Sequence, residues 1–176
     1  SAFENLNKLG EITIYSDSAL TSIGPLAFCL SSISGSLQIP SKVTSIGSSA
    51  FLGCTGLRSL LFYYNGNLNT IGDYAFTNCT NLNCNLDIPS KVTSIGDYAF
   101  TNCTSIQGHL TLHLGCQVGL DAFTNCNLDS IAIKTDFSDS NIDKIKPNSF
   151  MNLNVFGSIE IPNQIDEIGD SAFEGC

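Results

Sequence analysis

LDIPSKVTSIGDYAFTNC, at Leu86–Cys103, is a near copy of LQIPSKVTSIGSSAFLGC, at Leu37–Cys54. Its second half recurs once more, because IGDYAFTNCT stands at both Ile71–Thr80 and Ile95–Thr104. Working outward from the Ala-Phe pair, the whole chain falls into register. Phe3, Phe28, Phe51, Phe76, Phe100, Phe123, Phe150 and Phe173 each follow Ala, except Phe150, which follows Ser149. Five residues before each Phe from Phe28 onward stands Ile or Val, and Gly follows it except where Lys146 does. Three residues after Phe comes Cys54, Cys79, Cys103, Cys126 or Cys176, with Leu6 and Leu153 in the same slot elsewhere. The period is about 24 residues, within the 20–50 of stacked repeat arrays.

Each unit has a physical reading. The pairs Ile12/Ile14, Leu37/Ile39, Leu60/Phe62, Leu86/Ile88, Leu110/Leu112, Ile131/Ile133 and Ile159/Ile161 alternate with period two, so each marks a short strand with two side chains turned inward. Several end in Pro, which has no N–H to give a ladder and stops the strand. The IGDYAFTNC segment reads as a tight turn, a cap at Asp73 or Asp97, and one helical turn too short to stand alone. A single unit buries too little to offset the entropy of ordering it, so neighbouring units must stack. The expected fold is an α/β solenoid, mostly β. It has parallel short strands on the concave face, turns or single helical turns on the convex side, and a spine of stacked Phe side chains. Residues 1–176 are expected to form one solenoid of about seven units. Both ends fall inside the repeat motif, so a longer natural array is expected.

These residues resemble the BspA-like leucine-rich repeats of bacterial and protist surface proteins, whose pattern is L-x-I-P-x-x-V-T-x-I-G-x-x-A-F-x-x-C. Leu37–Cys54 and Leu86–Cys103 match it along their whole length. Three units depart from it in the segment after the strand, at Tyr63–Asn69, His113–Gln117 and Lys134–Asn141. The resemblance implies a cell-surface or secreted protein that binds host proteins, matrix or other cells; a non-enzymatic binding module is the expected function.

Composition narrows the partners. The net charge is −9, which disfavours nucleic acid and anionic membranes as main partners because both require basic patches. No apolar run approaches the length of a membrane span. Charged residues are only 13% of the chain, about half the usual share, so Ser, Thr, Asn and Gly must make much of the surface. No Ser/His/Asp set, phosphate-binding loop or paired-carboxylate cleft is present, and no cofactor is expected.

The outward strand residues form the expected recognition surface, since solenoids bind through concave sheets. The candidates are Tyr15, Gln38, Leu61, Tyr63, Asp87, His109, Thr111, His113, Lys134 and Glu160, with Leu61, Tyr63 and the two histidines making the centre more aromatic. His109 and His113 are four residues apart on a strand, roughly 13 Å, too far to share a metal, and are expected on the exposed face. The repeating cysteines are read as buried free thiols, because parallel Cβ atoms one strand apart are too distant for a disulfide. Asp136–Asp143 carries three carboxylates without the EF-hand spacing and reads as a solvated loop. Asn78 and Asn102 begin glycosylation sequons, although the repeat itself accounts for them. The rival to a binding module is a stalk or filament segment whose only interface is with itself or its neighbours.

Overall fold

A computed structural model describes residues 10–134, 144–145, 147, 150–151, 153 and 155–176. The expectations resting on Phe3, Leu6, Lys146, Ser149 and the Asp136–Asp143 loop lie outside these residues. The strands in chain order are β1 (Ser22–Ile23), β2 (Ser34–Ile39), β3 (Ser45–Ile46), β4 (Gly56–Phe62), β5 (Thr70–Ile71), β6 (Leu86–Asp87), β7 (Ser94–Ile95), β8 (Gln107–His113), β9 (Gln117–Val118), β10 (Asn127–Lys134), β11 (Lys144–Ile145), β12 (Val155–Glu160) and β13 (Glu167–Ile168).

Every pairing is parallel and joins equivalent positions of successive units. Among the long strands, β2 pairs with β4, and β6, β8, β10 and β12 form one sheet. Leu37 stands opposite Leu60, Leu86 opposite Leu110, and Ile131 between Leu110 and Ile159. The expected in-register solenoid is therefore present. Its first expected strand is reduced to one bridge, Glu11 to Ser34. Strand length follows proline: β2 ends one residue before Pro40, whereas β4, β8 and β10, which meet no Pro, run seven or eight residues.

A second ladder was not legible in the sequence. The residue pairs ending at the Ile or Val before Gly form a sheet of two-residue strands, β1-β3-β5-β7-β9, with β11 paired to β13. The Gly that follows is fixed by the neighbouring unit. A Cβ at Gly72 would lie 2.6 Å from the backbone nitrogen of Ser48, so only a hydrogen fits between the two turns.

The expected helical turn is replaced by consecutive tight turns, and no helix occurs among the described residues. Tyr74, Asn78, Tyr98 and Asn102 hold φ between 57° and 61°, a left-handed conformation every fourth residue that no α-helix can contain. Backbone amides then alternate in purpose. Ala50 N–H closes a local turn onto Gly47 O at 3.2 Å, while Phe51 N–H crosses to Ala75 O of the next unit at 2.8 Å. Phe76 and Phe100 repeat that crossing to Ala99 and Ala122 at 2.7 Å. The turns are thus stitched along the solenoid axis as the strands are, and their buried amides are satisfied.

The core lies between the two sheets and the turns. Phe28, Phe51, Phe76, Phe100 and Phe123 stack in sequence with centroids 5.0–5.2 Å apart and planes within 10°, and Phe150 stacks on Phe173 in the same way. Inward strand residues such as Leu37, Leu60, Leu86, Leu110 and Ile131 close the core against this spine.

Candidate recognition surface

The outward face of the long strands carries a polar cluster at β6 and β8. Asp87 stands directly opposite Thr111. The Thr111 hydroxyl donates to Asp87 Oδ1 at 2.8 Å, and His109 Nε2 lies 3.3 Å from the same oxygen. The backbone N–H of His109 donates to Asn85 Oδ1 at 3.2 Å. That approach requires the preceding Gly108, whose φ is +115° and whose missing Cβ leaves room for the Asn85 oxygen. The side chains of Thr111 and His109 therefore converge on one oxygen of the Asp87 carboxylate, while the His109 backbone holds the neighbouring Asn85 amide. The side chains of His109 and Asp87 keep 43% and 66% of their exposure, so their contact is screened by water and contributes at most about 1 kcal/mol.

The ten expected surface residues divide by burial. Tyr15, Gln38, Leu61, Asp87, Lys134 and Glu160 are exposed, while Tyr63 and His109 are half-buried. Thr111 and His113 are buried, at 4% and 8% exposure, which corrects the expectation that both line an open face. The reason is position. Strand β8 lies inside its sheet, with Asp87 of β6 bonded over Thr111 and Lys134 of β10 in register beside His113. Side chains flanked on both sides at strand spacing lose most of their access to water. Among the described residues, no group of three or more His, Cys, Asp or Glu is placed to hold a metal.

The repeated cysteines have a defined place. Sγ of Cys54, Cys79, Cys103 and Cys126 donates to the carbonyl oxygen of the preceding unit's Phe at 3.1–3.3 Å. Burial pushes the Cys54 thiol up to about 12, and the adjacent Cys126 and Cys79 thiols, with burial, hold Cys103 well above its ordinary value. A neutral thiol is a weak nucleophile, so Cys54 and Cys103 are held as packing and hydrogen-bonding groups.

Sequence reasoning missed the features of the turn side. Tyr74 and Tyr98 stack at 5.1 Å, and Leu26, Leu30, Tyr74 and Leu120 are exposed. Asn125 Nδ2 donates to Asn102 Oδ1 at 2.7 Å, and Asn102 Nδ2 donates to Asn78 Oδ1 at 3.0 Å, which forms an amide ladder. The available signal was the recurrence of Tyr and Asn at fixed offsets from Phe. The asparagines expected as sequons thus have a structural role, and Asp73 and Asp97 also bond forward, accepting from the amides of Asp97 and Leu120 in the next unit.

Comparison with known proteins follows this geometry. A family model described as a BspA-type leucine-rich repeat region matches six copies, over residues 1–107 and 116–176. A crystal structure of a leucine-rich cell surface protein from Faecalibacterium prausnitzii is similar over 97% of this chain, with 29% identity and a TM-score of 0.66, and this chain covers 46% of that protein. A leucine-rich repeat protein of T. pallidum matches 94% of this chain at 23% identity and a TM-score of 0.70, with 76% of its own length covered. The comparison with curated proteins gives no significant match. Among the described residues no helix is long and apolar enough to cross a membrane.

Proposed function

The chain belongs to the BspA-type leucine-rich repeat family, and from that premise we propose that it is a non-enzymatic protein-binding module of the cell surface or extracellular space. Its partner in this reading is a protein of the matrix or of a host or neighbouring cell, bound on the outward face of the long strands. The observation that carries the reading is a contrast within each unit. Core and turn residues repeat, whereas the outward residues change from Gln38 to Leu61 to Asp87 to Thr111 along one row. Scaffolding needs no such variation; recognition does. The cell-surface similarity to the Faecalibacterium protein agrees with this location. An exposed Leu61 on the same face as the hydrogen-bonded Asp87 carboxylate gives the mixed apolar and polar character of protein interfaces.

The test is capture of purified matrix and surface proteins by the chain and by a variant carrying Leu61→Ser, Asp87→Asn and His109→Ala. At least tenfold weaker capture by the variant is expected. Equal capture would remove this face from the binding site. If neither protein captures anything, the stalk or filament reading gains, and it is the reading that the repeating Tyr and Asn ladders of the turn side favour.

A further inference from the structure

Arg58 is the chain's one arginine, in a protein with 16 carboxylates and a net charge of −9. Among the described residues its guanidinium makes no ion pair and no side-chain hydrogen bond. An arginine left unpaired among so many carboxylates leaves a five-donor planar fork unused. Its placement comes from a break in the ladder. Gly35 pairs with Leu57 and Ser36 pairs with Ser59, so Arg58 is the additional residue of a β-bulge, a device that re-aims a side chain.

The bulge turns Arg58 into a depression of about 490 Å³ lined also by Asn81, Asn83 and Ser105. Small-molecule sites fall in the range of about 300–1,000 Å³. The depression lies on the corner where each cysteine-bearing turn runs into a long strand, and its four residues come from three successive units. Two contacts hold its shape. Asn83 N–H donates to Arg58 O at 2.8 Å, and Asn81 Nδ2 donates to Thr55 O at 2.7 Å, which leaves the Asn81 carbonyl oxygen as an acceptor.

We propose that this depression is a binding subsite for an acidic sugar, a pyranose carrying one carboxylate. Arg58 holds the carboxylate as a fork, and Asn81, Asn83 and Ser105 hydrogen-bond the ring hydroxyls. The guanidinium geometry matches a carboxylate bidentately. Two amides and a hydroxyl supply both donors and acceptors, as vicinal hydroxyls require, and among the described residues those lining the depression are all polar or charged. The overall negative charge disfavours polyanions, so the ligand is singly charged. This subsite shares no residue with the outward patch at Leu61, Asp87 and His109, so either assignment can fail alone.

The probe is methyl glucuronide, titrated into the isotope-labelled chain while amide NMR shifts are followed, with methyl glucoside and N-acetylglutamate amide in parallel. Saturable shifts at Arg58, Asn83 and Ser105 are expected with the glucuronide, with at least tenfold weaker binding of the neutral glucoside. Arg58→Gln should weaken the glucuronide at least tenfold, Arg58→Lys should fall between, and Asn83→Ala should weaken it with Arg58 intact. Arg58 is exposed, so these variants keep the parent melting temperature. Equal binding of glucuronide and glucoside, no response at these amides, or indifference to Arg58→Gln would overturn the site. N-acetylglutamate amide binding as tightly as the glucuronide would overturn the sugar assignment and transfer the site to acidic peptides.

Discussion

Cys103 Sγ donates a 3.2 Å hydrogen bond to the carbonyl oxygen of Phe76, linking one unit's last turn to the previous unit's aromatic anchor. The same link recurs between Cys126 and Phe100 and between Cys79 and Phe51, so a small side chain here both fills space and satisfies a buried acceptor. Replacing Cys103 with Ala removes both. A loss of about 1–3 kcal/mol is expected, read as a lower urea midpoint with unchanged slope.

Thiol labelling should separate the cysteines by burial. Cys54, Cys79, Cys103 and Cys126 have no exposed surface, whereas Cys176 is exposed. In the native protein a thiol-specific disulfide reagent should modify Cys176 rapidly and these four only after denaturant is added. Fast native labelling of any column thiol would contradict the packing.

Alkaline stability follows from the same burial. The Cys54 thiol is raised from 9.0 to about 12, and burial raises Cys116 equally. Below pH 9 the thiols are protonated whether the chain is folded or not, so their contribution is fully present. As pH rises from 9 toward 12 the unfolded chain releases these protons first and stability is lost. Urea midpoints should decline through that window, and the decline should be shallower in Cys54→Ala.

Backbone proximity between turns gives a glycine test. A Cβ at Gly72 would meet Ser48 N at 2.6 Å. Gly72→Ala should cost about 1–3 kcal/mol through forced separation of units, read as a lower midpoint in a thermal melt.

The Asp87 cluster should divide unequally in a double-mutant cycle. The half-buried His109 partner should couple to Asp87 by no more than about 1 kcal/mol. The Thr111 partner is buried, so removing the carboxylate strands a hydroxyl, and Asp87→Ala should cost about 1–3 kcal/mol mainly through Thr111. Thr111→Val introduced into Asp87→Ala should recover part of that loss.

Much of this architecture was readable from residue spacing. Leu86 and Leu110 alternate with polar neighbours, so period two revealed the long strands, and the even recurrence of Phe implied the spine. The short-strand sheet was not readable, because two residues such as Ser94–Ile95 carry no period. The helical turn was expected because nothing in the identity of Tyr74 or Tyr98 announces a positive φ; the conformation is imposed by amides that cross to the next unit. Burial of Thr111 and His113 depends on what flanks β8, and alternation along one strand is silent about that. The aim of Arg58 depends on a bulge, which only the pairing of two strands defines.

The crossing amides of the turns also set how the molecule responds to force. Strand ladders and turn ladders both run along the solenoid axis, and so do the links from each cysteine to the preceding Phe. Tension applied between the two chain ends would load these bonds a unit at a time rather than shearing a whole sheet at once. The expected behaviour is that of a spooled tether, peeling from an end at modest force. Each released unit of about 24 residues would lengthen the chain by roughly 80 Å when extended. For a protein held between two surfaces, such stepwise yielding would absorb a pull without loss of the remaining coil.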